Sequence, residues 1–169
     1  MFLQYMMLFA VGFGILMIVF WSRKQASQNL KWLLLTVAGA TVSVLMYYLE
    51  MCDTNLEFMQ VVHNLGYVFK SCTLVSFLMF LCHYCGIKIK KQLLYGMIIF
   101  SGVLSMMTMM NGVHGLFYTP VEIGTDFLVP YLRLESGILY YVFAVGQFLL
   151  MVFGAGMIIK KIPESYGIQ

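Results

Sequence analysis

Charge is scarce in this sequence. Asp, Glu, Lys and Arg make up 10% of the 169 residues, and 62% are hydrophobic. A soluble domain carries about a quarter charged residues, so a water-facing globule is excluded. No basic run is long enough to follow a nucleic acid, and the aromatics interleaved among apolar residues are membrane-belt material. The four cysteines do not amount to a disulfide framework. Residues 2–21 are too long and uncharged for a cleavable signal peptide, and no A-x-A-like site follows them. A Gly-rich phosphate loop, a Ser/His/Asp arrangement and a zincin-type helix are all missing, so the residues offer no catalytic function and call for no cofactor.

Apolar runs of about 20 residues, the length that crosses a bilayer, are what the chain has instead. They predict an all-α polytopic transmembrane bundle of five helices, at about 2–21, 32–50, 57–86, 92–110 and 136–159. Residues 1–161 then form the bundle and residues 162–169 a cytoplasmic tail. Small residues at helical spacing mark faces for close packing: Ala10 and Gly14, Gly39 and Ser43, then Ser101, Gly102 and Ser105. Between helices 4 and 5, Leu116–Ile123 and Phe127–Leu132 flank Gly124-Thr125-Asp126. That pattern predicts a short extracellular hairpin, although Pro120 and Pro130 interrupt it.

The charges are few but sorted. Of the ten Lys and Arg, Arg23, Lys24, Lys31, Lys88, Lys90, Lys91, Lys160 and Lys161 follow helices 1, 3 and 5. Of the seven acids, Glu50, Asp53, Glu57, Glu122, Asp126 and Glu135 lie on the other side. The positive-inside rule then places the amino terminus outside and the carboxyl terminus in the cytoplasm of a plasma-membrane protein.

Helix 3 carries His63, Asn64 and Lys70 in its first half, and ionisable residues inside a membrane are functional candidates by default. His63 and Lys70 share a helix face with Gly66 and Tyr67 between them. Glu50 and Glu135 are the acids nearest in depth. Histidine as a residue type titrates near neutral pH, so His63 suits the detection of protons or a ligand. These residues suggest an outward-facing polar pocket for a small molecule or ion, with His114 as a further member. Ser136, Tyr140 and Gln147 form a polar stripe on helix 5 that would line the same pocket. The alternative is a snorkelling lysine among satisfied interfacial groups. Cys82-His83-Tyr84-Cys85 lacks the second ligand pair of a metal site, so no metal is expected there. The fifteen methionines read as core filler.

Tyr47–Gly86 also resembles the middle of the seven-helix sensory domain at the amino terminus of bacterial histidine kinases and diguanylate cyclases. The resemblance rests on Glu50 closing helix 2, Leu65-Gly66, Phe77-Leu78-Met79-Phe80 and Tyr84-Cys85. It extends to Asn111, His114 and Phe117-Tyr118. Where that family often has Tyr before Leu-Gly, this chain has Asn64. The resemblance implies a receptor that detects an extracellular cue and passes it to a cytoplasmic signalling protein or domain. Residues 1–169 contain neither helices 6 and 7 nor an output domain, so the expectation is a partial receptor or one acting through a partner. A transport component or structural membrane subunit is the competing expectation. Alkaline phosphatase fused after Asn55 should be active, and fused after Lys91 inactive. The opposite pattern would reverse the orientation.

Overall fold

The computed structural model describes residues 2–23, 28–87, 90–124 and 130–166, and of residues 28, 120–121 and 160–166 the backbone alone. The elements in chain order are α1 (Phe2–Ser22), α2 (Gln28–Glu50), α3 (Leu56–Tyr84), α4 (Lys91–Met109), α5 (Asn111–His114), β1 (Tyr118–Gly124), β2 (Tyr131–Ser136) and α6 (Ile138–Tyr166). Among the described residues, five helices are long and apolar enough to cross a membrane. The architecture is the expected all-α polytopic bundle.

α3 is the central helix. Half of its most apolar window is buried, against 11–17% for the other four. It packs against α2, α4 and α6, while α1 rests on α2. The outer faces of α1, α4 and α6 expose Phe9, Leu16, Ile99, Phe148 and many similar side chains, as lipid-facing surfaces do. Hydroxyls inside the bundle satisfy themselves locally. Thr41, Ser43, Ser71, Thr73 and Thr108 each donate to the carbonyl four residues earlier.

A short turn joins α2 to α3. Asp53 accepts from the amides of Thr54 and Asn55, and Asn55 caps α3 by accepting from Glu57 and Phe58. The two helices therefore run antiparallel in a fixed register. Glu50 meets His63, Met46 meets Gly66, and Gly39 meets Thr73. Thr73 sits so close to Gly39 that no Cβ fits there, and Thr41 stands in the same relation to Gly14 across α1 and α2. Gln4 extends the α1–α2 contact by donating to the carbonyl of Met51. The expected small face of α4 is different: a Cβ at Gly102 would meet nothing within 4 Å.

Along α3 the core has three tiers. Tyr67, Leu104, Phe117, Tyr118 and Phe143 form the first, at the hairpin end. Leu78, Leu81, Cys82, Cys85 and Met157 form the last, at the lysine end. Between them α3, α4 and α6 enclose a cleft with only about 20 Å³ of free space. Cys82 and Cys85 both lie against Met157.

Several boundaries differ from the sequence reading. α2 begins at Gln28 rather than Trp32, and α6 continues to Tyr166 rather than ending near Ile159. Hydropathy marks where apolar character stops, whereas a helix continues through Gln, Lys and Glu. The expected tail is thus helical as far as Tyr166, and residues 167–169 lie outside the described residues. β2 spans Tyr131–Ser136 and so includes Ser136, expected as the start of a helix, while Phe127, Leu128 and Val129 of the expected strand lie outside the described residues. The expected turn residues Thr125 and Asp126 lie outside the described residues. β1 and β2 pair antiparallel from Tyr118 opposite Ser136 to Gly124 opposite Tyr131, with an irregularity between Pro120 and Glu122. Proline cannot donate to a ladder, which is why the register breaks there.

Gly39→Leu should destabilise the bundle by about 1–3 kcal/mol through overpacking against Thr73, whereas Gly102→Leu should leave stability nearly unchanged. Thermal unfolding in detergent compares the two.

Candidate functional site

Asn111, in the one-turn helix α5, organises the hairpin end. Its Oδ1 accepts from the amides of Phe117 and Tyr118 at 2.9 and 3.2 Å, and its Nδ2 donates to the Tyr118 carbonyl at 2.6 Å. This clamp turns the chain inward, so Phe117 and Tyr118 become almost fully buried among Tyr67, Tyr140 and Phe143. The rings meet edge to face, the arrangement aromatic quadrupoles favour. Gly137 follows β2 and lies so close to the Leu116 carbonyl that a Cβ would collide with it. The amides of Gly137 and Leu139 donate to the carbonyls of Phe117 and Leu116, which fastens the hairpin base to the start of α6.

Tyr118 carries the hairpin to α3, where its hydroxyl donates to Asn64 Oδ1. Burial holds its phenol well above the ordinary range and the nearby Glu50 charge adds to this, while its contacts with Asn111 and Asn64 pull the other way. Tyr118 is therefore a hydroxyl donor throughout the physiological range. His63 lies beside it, edge-on to Tyr67 and Tyr118 at 5.1 and 5.3 Å between centroids. His63 Nδ1 is 2.9 Å from Glu50 Oε2, and the two side chains are 10% and 9% exposed. Each partner alone would be a costly buried polar group. Among the described residues, the second ring nitrogen, Nε2, is buried and has no hydrogen-bond partner. Such an atom calls for an explanation, because buried polar atoms are normally paired.

Lys70 is one level deeper. The register of α2 and α3 puts it opposite Ser43, but its ammonium reaches back toward the start of α3. There it donates to the Tyr47 hydroxyl and lies 4.5 and 4.6 Å from the ring centroids of Tyr47 and Tyr67. Helical side chains lean toward the helix amino terminus, which gives the lysine this reach. Aromatic faces and a phenol hold the ammonium, and neither Glu50 nor Glu135, the acids nearest in depth, is in an ion pair with it.

Of the residues singled out from sequence, Glu50, His63 and Asn64 thus lie together between α2, α3 and β1, with Lys70 one level below. His114 lies outside this group. Its Nδ1 accepts from the Leu116 amide, so Nε2 carries the proton and donates to the Met107 carbonyl, and the ring serves the turn. Glu135 is exposed on β2 opposite Thr119. The polar stripe of the last long helix is divided: Ser136 belongs to β2, Tyr140 to the aromatic tier, and Gln147 lines the deeper cleft. Sequence reading missed Tyr47, Tyr118 and Asn111 as members of the site. Tyr47 stands three residues before Glu50 and so on the same face of α2, the one local signal available.

The family of the N-terminal 7TM region of histidine kinase matches residues 5–169. The chain belongs to this family. This histidine kinase 7TM region is accordingly a multi-pass membrane sensory module, a non-catalytic input domain that works in a lipid bilayer with a downstream signalling partner. No curated protein and no solved structure matches the chain. Within the 7TM region, Asn111→Ala removes one side chain that serves three buried backbone groups. Each group left unpaired costs about 1–3 kcal/mol, so amide exchange at Phe117 and Tyr118 should accelerate strongly while that of α2 changes little. Equal acceleration throughout would show that Asn111 has no local clamping role.

Proposed function

We propose that this input module detects an extracellular small molecule or ion at its hairpin end and relays the event along α3 to a cytoplasmic signalling protein or domain. The observation that carries this reading is the buried Nε2 of His63, which has no hydrogen-bond partner among the described residues. His63 stands where α2, through Glu50, and the hairpin, through Tyr118, both meet α3. Glu50 holds the imidazole, Asn64 and Tyr118 tie the hairpin to the same helix turn, and Lys70 supplies positive charge one level below. His114 and Glu135 are not part of this proposed site. The charge sorting along the sequence supports placing the hairpin outside, with the amino terminus there and the carboxyl terminus in the cytoplasm.

A cue shifts such a module only by binding one arrangement better than another. Transmission is readable with native probes. Gln4 and Glu50 mark the hairpin ends of α1 and α2, so Trp21 and Trp32 stand at the opposite end. The chain in lipid nanodiscs can be titrated with panels of ions and small metabolites while tryptophan emission is recorded. A cue that changes the emission of the wild type should have no effect on His63→Gln, and about a tenfold weaker midpoint in Tyr118→Phe if one hydrogen bond to the site is lost. A response unchanged in both variants would remove His63 from the sensing site.

A further inference from the structure

The lysine end of the bundle holds a second site. Between the last turns of α3 and the first turns of α4 lies a cavity of about 440 Å³. Its apolar lining comes from Met79, Cys82, Ile87 and Leu94, and its polar lining from His83 and Lys91. The cleft beside Gln147, with about 20 Å³, has room for one water molecule, whereas this cavity is many times larger. The backbone holds it open. Gly86, at φ +70°, reverses the chain, with the Ile87 amide donating to the Cys82 carbonyl at 2.9 Å and the Gly86 amide to that of His83 at 3.2 Å. This is the left-handed helix stop that glycine alone adopts freely. α4 then starts at Lys91, and its cap residue Lys90 makes no side-chain capping bond.

The lining has two characters on one short path. Lys91 and His83 are cationic or proton-donating groups, and among the described residues neither is in an ion pair. Met79, Ile87 and Leu94 offer an apolar wall suited to hydrocarbon. Among the described residues, no carboxylate lines the cavity. A small inorganic anion would leave the apolar wall unused, and a plain hydrocarbon would leave the lysine unused. The position, at the end of two spanning helices, is where lipid phosphates lie. We propose that this elbow binds the phosphate headgroup of an anionic membrane lipid, with Lys91 and His83 on the phosphate and an acyl chain along Met79, Ile87 and Leu94. Basic pockets between membrane helices recognise headgroups in this way. The proposal does not depend on the sensing site.

The test uses the full chain in phosphatidylcholine nanodiscs doped with phosphatidylglycerol or cardiolipin, and native mass spectrometry to count retained lipids. The wild type should retain one anionic lipid in preference to phosphatidylcholine. Lys91→Gln should weaken retention about fivefold, and Lys91→Gln with His83→Gln about tenfold or more. Lys31→Gln, a lysine at the same end but outside the cavity, should retain it fully, and an unchanged unfolding temperature certifies the fold of each variant. If the double variant does not fold, the Lys91→Gln comparison decides. Equal retention of phosphatidylcholine, or of anionic lipid by a folded Lys91→Gln, overturns the site. Inorganic phosphate that displaces the lipid at equal concentration overturns the lipid as its source, because the acyl chain would then contribute nothing.

Discussion

Because the turn between α2 and α3 is short and internally capped, the two helices must lie side by side, antiparallel and in one register. Each polar residue in the bundle then has a determined neighbour. Glu50 falls beside His63, and the Lys70 ammonium finds Tyr47 one turn away from the level of its own Cα. In an apolar interior such pairings are obligatory, since a lone carboxylate, imidazole or ammonium would be strongly disfavoured. The register also sets which atom is left over. Glu50 takes Nδ1 of His63, the rings of Tyr67 and Tyr118 flank the imidazole, and Nε2 has no partner among the described residues.

The hairpin depends on the same layer by another route. A two-stranded ribbon is marginal by itself in water. Here it is fastened below by Asn111, above α6 by the carbonyls of Leu116 and Phe117, and inward by Tyr118 on Asn64. The segment that joins α4 to α6 is therefore wedged into the core, and its two aromatic residues fill the space between three helices. Hairpin and central helix share one hydrogen-bonded and aromatic unit.

Much of this was legible beforehand. The five spans follow from hydropathy, and Glu50, His63, Asn64 and Lys70 stand out because ionisable and amide groups are rare in apolar helices. Depth alone does not separate them from Glu135, which lies exposed on β2. The partner of Lys70 was not legible, because a carboxylate is the obvious counter-charge and nothing local ranks Tyr47 above Glu135. His114 is the reverse case: the residue type suggests a site, but its ring nitrogens bond the Leu116 amide and the Met107 carbonyl at the end of α4. Asn111 and Tyr118 act through a loop-to-core contact that spacing does not encode. The helix ends moved because polar residues such as Gln28 extend a helix beyond its apolar part.

The glycine notches have a mechanical consequence. Thr41 fills the gap at Gly14, and Thr73 fills the gap at Gly39, each threonine hydroxyl also tethered to its own helix. Sliding either pair along its axis by a residue would drive a threonine against a neighbour that has a Cβ. α1, α2 and α3 are thus keyed together like a bolt with two teeth. On the other side, Gly154 meets only the flexible ends of Leu78 and Leu81, at 3.3 and 3.1 Å, and Gly102 meets nothing. A force that displaces α3 along its axis therefore carries α1 and α2 with it, whereas the contact of α3 with Gly154 of α6 offers only side-chain ends that can give.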